Sequence, residues 1–145
     1  NDAVGAVTRL VDMGVEPFLV ASSLLGVLAQ RLVRKLCPLC RQTRAPDAAE
    51  LRLLTASGSE PRSVPIYTPV GCNACTNTGY QGRTGIYELL TIDDSLRSLI
   101  HDGASEGKLR EYARTRGMRN MRDDGLRWVR AGATSLEEVL RVTRE

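Results

Sequence analysis

All four cysteines of the chain fall into two CxxC pairs, Cys37 and Cys40 in "CPLC" and Cys72 and Cys75 in "GCNAC". A CxxC turn presents two sulfurs from one tight knuckle, and two such turns together supply the four thiolates that tetrahedral zinc takes in closed structural sites. Gly71 and Gly79 flank the second pair, where a knuckle requires left-handed or crowded backbone, and Pro38 stiffens the first turn. The predicted ligands are therefore Cys37, Cys40, Cys72 and Cys75, holding a structural Zn2+. With every position taken by protein, no vertex is left for a catalytic water. Two other chemistries stay open. A pair of disulfides fits a reducing compartment poorly, and a thioredoxin-like redox pair normally opens a helix in a βαβ unit, whereas Cys37 is expected to follow a strand and enter a loop. Four thiolates around zinc carry a net charge near about −2. Arg34, Lys35, Arg41 and Arg44 surround the first knuckle and are read as offsetting it.

The elements that must position these sulfurs follow from periodicity. Val4, Val7, Leu10 and Val11 recur at helical spacing and stop at Gly14, predicting a helix over 2–13, and Pro17 opens a second helix at the position where its missing N–H costs little. "GVLAQRLVRKL" alternates with period two, a strand running straight into Cys37. Residues 41 to 71, 31 in number, separate the pairs, against roughly 15 to 20 in common zinc ribbons. This insertion should contain a short helix over 47–54, a Ser-, Gly- and Pro-rich loop, and an extended "VPIYTPV". After the second pair a strand is predicted over 84–90, then helices over about 93–101, 105–116, 122–131 and 134–143, forming a small helical tail. Thr134 and Ser135 stand three residues before Glu137 and Glu138 at capping-box spacing, and Gly132 closes the preceding helix.

Composition limits the function classes. With 42% hydrophobic residues the chain can bury one core or two small modules, but only 4% are aromatic, so no stacking platform for single-stranded nucleic acid is offered. A formal charge of +3 is weaker than the basic footprint of a dedicated nucleic-acid binder. The longest apolar run, "PFLVASSLLGVLA", is too short to span a bilayer, and no signal peptide is visible, so a cytosolic setting is expected. The start "NDAVGAVTRL" lacks Met, which suggests a piece of a longer protein.

No catalytic constellation can be assembled. The phosphate-loop pattern GxxxxGK[ST] fails at Gly107–Lys108, since Leu109 follows and Asp102 holds the first glycine position. His101 reads as a solvated helix end. The doublets Asp93–Asp94 and Asp123–Asp124 stand at helix starts, where acids favour the macrodipole.

Across "NDAVGAVTRLVDMGVEPFLVASSLLGVLAQRLVRKLCPLC", "GCNACTNTGYQGRTGIYELL" and "RDDGLRWVRAGATSLEEVLRVTRE" the chain resembles the C-terminal region of the type II secretion traffic ATPases, the general secretory pathway protein E family. The related type IV pilus assembly ATPases share much of the pattern. The resemblance implies an α/β fold: the C-terminal remnant of a RecA-like ATPase core, with a tetracysteine zinc-binding insertion and a C-terminal helical subdomain. Domain boundaries expected on this basis are 1–36 for the end of the core, 37–80 for the zinc module, and 81–145 for the return strand and helical subdomain. It further implies a homo-hexameric parent that uses ATP and Mg2+ to drive pseudopilus assembly and export. That parent would lie in the cytoplasm, peripheral at the inner membrane through secretion-machinery partners, with no membrane span of its own and no nucleic acid.

In that family the histidine box ends near "HTND", so Asn1 and Asp2 match its last residues, and the Walker motifs lie upstream. The chain itself, lacking Walker A, is expected to be inactive. Arg9 in "VTRL" and Arg83 in "QGRTG" match family positions placed to reach nucleotide or a neighbouring subunit, with Gly82 and Gly85 leaving room around Arg83. Two rivals stand beside this reading. One is an independent zinc-dependent module that binds nucleic acid or protein through Arg34, Lys35, Arg41 and Arg44; the other is a thiol–disulfide enzyme.

Overall fold

Asp2 starts the chain's first helix by accepting a hydrogen bond from Gly5 N at 2.7 Å. In a computed structural model that describes residues 2–56 and 64–144, this helix is α1 (Ala3–Asp12), with Ala3, Val4 and Val7 buried on one stripe. Gly14, at φ +95°, ends it, and Pro17 opens α2 (Pro17–Ser23). Strand β1 (Gly26–Leu36) then leads to the first cysteine. Between the knuckles lie β2 (Gln42–Arg44), α3 (Ala48–Thr55) and β3 (Ile66–Thr68). Of the Ser-, Gly- and Pro-rich loop expected near 55–63, residues 57–63 lie outside the described residues.

A single 3-10 turn, Asn73–Cys75, carries the second knuckle into β4 (Tyr80–Thr91), after which come α4 (Asp94–His101), α5 (Glu106–Thr115), α6 (Met121–Arg130) and α7 (Leu136–Val142). The architecture is mixed α/β, as the sequence predicts. β1 pairs with β4, and the bonds Ile92 N to Leu25 O and Cys37 N to Gly79 O make the pairing antiparallel. β2 and β3 form a second antiparallel pair, Gln42 opposite Thr68 and Arg44 opposite Ile66. β4 starts four residues earlier than the sequence predicts, because Gly82 and Gly85 hide its alternation. β2 escapes sequence reading altogether, since three polar residues carry no period.

Two compact units divide the chain. The first comprises the residues up to Gln30 together with Tyr87–Met121, and its core gathers Val4, Val7, Val20, Leu90, Leu96 and Leu109. Here α1 packs on α2 and α5, and α4 packs on α2 and α5. Glu88 of β4 is 3% exposed, and its carboxylate caps two helices at once: Oε1 accepts from Ala3 N at 2.8 Å and Oε2 from Met121 N at 3.1 Å. Each N–H belongs to a first helical turn without an intrahelical partner, so one buried acid satisfies two otherwise orphaned donors.

The second unit comprises Arg31–Ile86 with the residues from Arg122 onward, and buries Val33, Ile66, Ile86, Leu126, Val129 and Leu136. Helices α6 and α7 approach closely at Gly125, where a Cβ would lie 2.6 Å from a methyl of Val139. The four helices of the C-terminal half are thus shared between the units, α4 and α5 in the first, α6 and α7 in the second. Among the described residues no helix is long and apolar enough to cross a membrane.

Candidate metal centre

β1 delivers Cys37 into the unit's interior, where it is fully buried, and the turn through Pro38 and Leu39 returns Cys40 to its side, with Arg41 N closing on Cys37 O at 3.1 Å. The 3-10 turn does the same for Cys72 and Cys75. The four sulfurs lie within 4.8 Å of one another. Cys37–Cys72, Cys40–Cys75 and Cys72–Cys75 are each separated by 3.8 Å, Sγ to Sγ. A disulfide would put two sulfurs about 2.05 Å apart, so these cysteines are unbridged. Sulfurs at the corners of a tetrahedron about 2.3 Å from a central zinc would be about 3.8 Å apart, the separation seen. Donor type, number and spacing all fit a closed four-thiolate site that could hold a metal ion.

The backbone is shaped to the same end. Gly71 N donates to Cys40 Sγ at 3.3 Å, Cys72 N to Cys75 Sγ at 3.2 Å and Gly79 N to Cys75 Sγ at 3.2 Å. Amide N–H groups aimed at sulfur favour the thiolate, the form that binds metal. Burial opposes ionisation of Cys75, yet the N–H groups of Cys72 and Gly79, with the Cys72 and Cys40 thiols, bring it down to about 6. Burial pushes Cys40 the other way, up to about 11. Metal binding must therefore displace protons from the cluster.

Gly71 has φ +114° and a Cβ there would lie 2.8 Å from Asn77 O; at Gly79, φ +77°, it would lie 2.5 Å from Pro69 Cβ. Both glycines are required by conformation and by space, as their positions in the sequence suggest. Thr76 and Asn77 are also left-handed, at φ 54° and 59°, so the turn beyond Cys75 holds backbone that only a fixed scaffold would keep.

The basic residues around the first knuckle have other work. Arg34 binds Glu138 at 2.8 Å and lies 4.1 Å over the Tyr80 ring. Arg41 donates to Gly132 O and stacks 4.5 Å over Tyr67. Arg44 forms a bidentate pair with Glu50 and reaches Glu137 at 3.4 Å, and its guanidinium draws Glu50 down to about 2. Of the four, only Lys35 has no side-chain partner among the described residues. The three arginines fasten the knuckles to neighbouring segments, and a nucleic-acid patch built from them would have to break those contacts first.

Arg9 is exposed on α1, in the first unit, beside a shallow pocket of about 300 Å³ that Asp2, Thr8, Asp12 and Glu106 also line. Arg83 is exposed on β4, in the second unit, after Gly82 at φ +75°. Neither guanidinium has a partner among the described residues. His101 ends α4, exposed, 3.3 Å from Asp102. Asp93 is the α4 N-cap, accepting from Leu96 N at 2.8 Å, while Asp123 and Asp124 stand in the first turn of α6.

Sequence reasoning missed Glu88 altogether and read Glu138 only as a capping-box acid, because an acid on a strand or helix reads as solvated. Glu138 is 1% exposed and accepts four hydrogen bonds: Arg34 N at 3.1 Å, Arg34 Nη2 at 2.8 Å, Arg141 Nε at 3.0 Å and Arg141 Nη2 at 2.7 Å. Burial raises the carboxyl, but the guanidinium groups of Arg141 and Arg34 outweigh it and hold it at about 2. Ser135 caps α7 through Glu138 N, as the capping-box spacing predicts, but Glu138 does not complete the box.

Comparison with known proteins extends over nearly the whole chain. Residues 1–141 match the family described as Type II/IV secretion system protein. Among similar curated proteins, the Type II secretion system protein HxcR of Pseudomonas aeruginosa is 57% identical over 145 residues, all of this chain and 27% of that protein. The Type II secretion system ATPase E of Vibrio cholerae is 54% identical, over all of this chain and 28% of its own length. The Type IV pilus assembly ATPase PilB of Thermus thermophilus is 47% identical, again over the full chain but only 16% of that protein. The chain thus spans between 16% and 28% of the length of these relatives. Identity at this level over the full chain, with the family match over residues 1–141, makes the chain a member of the type II/IV secretion system protein family.

Proposed function

We propose that this chain is the C-terminal portion of a secretion ATPase whose parent hydrolyses ATP with Mg2+ as a homo-hexamer. The parent drives pseudopilus assembly in type II secretion from the cytoplasmic face of the inner membrane, held there by partner proteins. One observation carries the reading: a match across the whole chain to relatives named as type II secretion and type IV pilus ATPases. Within the parent, residues 1–36 would end the RecA-like core, 37–80 would form the module held by structural Zn2+, and 81–145 would supply the return strand and helical subdomain. The phosphate loop would come from outside these residues, since GxxxxGK[ST] is absent from them. Arg9 and Arg83 would contact nucleotide or a neighbouring subunit; their exposure and their lack of partners among the described residues support this.

The purified chain is expected to show no ATP turnover; turnover that scales with its concentration would overturn the division of labour. In the full-length protein, Arg9→Ala and Arg83→Ala should each lower ATP hydrolysis or hexamer formation. If both leave turnover and assembly intact, the arginine roles fail. The 47% identity to a pilus assembly ATPase favours one second reading, the motor of type IV pilus assembly. Deleting the parent gene separates the two: loss of export with pili retained supports secretion, and the converse supports pilus assembly.

A further inference from the structure

We propose that the metal at the four cysteines also sets the position of the C-terminal helix α7, by completing a cradle for the tetrapeptide Gly132–Ala133–Thr134–Ser135. The proposal rests on the metal reading above and extends it to residues far from the sulfurs.

Flanks of both knuckles converge on those four residues. Leu36, next to Cys37, donates its N–H to Ala133 O at 2.9 Å. Arg34, two residues further back, receives the Thr134 hydroxyl on its carbonyl at 2.7 Å and binds Glu138 through both N–H and guanidinium. Arg41, next to Cys40, donates to Gly132 O. From the other knuckle's exit strand, Tyr80 hydroxyl meets Ser135 Oγ at 2.7 Å, and Arg34 stacks on that same ring. Arg31 of β1 closes the far end by donating to Val142 O, a C-terminal carbonyl of α7.

The turn itself is built for this seat. Thr134 and Ser135 are fully buried, and Glu138 is nearly so, an arrangement tolerable only while their partners stay in place. Gly132 has φ +73°, and a Cβ there would lie 2.7 Å from the Tyr67 ring and 3.1 Å from Arg41 Nη1, so the fit leaves no slack. The sulfurs hold the segment through Arg34, Leu36 and Arg41 against the one through Tyr80. Separating them would uncover a buried hydroxyl pair and a buried carboxylate, so α7 must loosen with the metal. Metal loading is thereby converted into the presence or absence of an ordered C-terminal helix.

The test uses the whole chain, with bound zinc counted by a colorimetric chelator and hydrogen exchange read by mass spectrometry before and after metal removal. Residues 132–142 should lose protection together with 37–44 and 71–79, exchanging about tenfold faster or more, while 94–113 of α4 and α5 stay protected and report that the first unit remains folded. Zinc bound in a one-to-one ratio, with chelation exposing only the two knuckles, would overturn the cradle and leave the metal site standing. Failure to bind zinc at all would overturn both. Glu138→Gln adds a second arm: it should raise exchange at 132–142 while one zinc is kept, and unchanged exchange there would also overturn the proposal.

Discussion

At the scale of single residues, Gly79 and Gly82 offer a controlled contrast. Both have φ near +75°, but only Gly79 is crowded: a Cβ there would lie 2.5 Å from Pro69, whereas a Cβ at Gly82 would meet nothing beyond its chain neighbours within 4 Å among the described residues. Gly82→Ala should therefore cost about 1–2 kcal/mol, the left-handed backbone alone. Gly79→Ala should cost about 3 kcal/mol or more. It should also weaken metal binding in a chelator competition, because Gly79 N is a donor to Cys75 Sγ. Equal losses for the two would show that crowding plays no part. This distinction was half legible: cysteine spacing pointed to glycines beside the knuckle, while the Pro69 contact depends on chain ten residues away. The roles of the buried acids were not legible: Glu138 stood out only at capping-box spacing, and nothing in the letters around Glu88 or Glu138 announces the long-range donors, Ala3 N, Met121 N and Arg34, that hold them.

Helices were the most readable elements, because caps and periodicity act locally: Asp2, Asp47, Asp93, Ser105 and Ser135 each cap a helix whose start the sequence indicates. Their packing partners were unreadable for the opposite reason. Glu88 joins Ala3 to Met121, all within the first unit, across 85 and 33 residues of sequence. Glu88→Ala leaves two buried N–H groups without an acceptor and should cost about 2–4 kcal/mol, with Glu88→Gln losing less because one acceptor remains. Urea midpoints of the two variants provide the check, and a harmless alanine would refute the double cap.

Glu138 makes a pH prediction at the same scale. Its folded pKa, about 2, lies below the ordinary 4.5, so the stability it contributes is complete above about 4.5 and fades as the pH falls toward 2. Unfolding followed at pH 5 and at pH 3 should show a loss in the native chain that Glu138→Gln reduces, the remainder belonging to other paired acids such as Glu50. A slope unaltered by the substitution would place the titration elsewhere.

Over the whole molecule, the first unit contains none of the sulfurs and owns a separate core. Its helices α1, α2, α4 and α5 hold more than half of the helical residues. Chelation should therefore leave most of the far-ultraviolet helical signal intact while the second unit loosens. Loss of nearly all of it would mean that the metal governs both units. The family could be recognised from the order of motifs, since order survives in a sequence; the cradle could not, because it joins residues near 34 to residues near 135.

That separation fixes an order of events during synthesis. The last sulfur, Cys75, is made sixty residues before Ser135, a lag on the order of several seconds at ribosomal rates. The sulfurs are all available to capture a metal before the tetrapeptide they support has been made. A metal captured during translation would thus put the cysteine-bearing side of the seat in place before the helix that docks on it emerges.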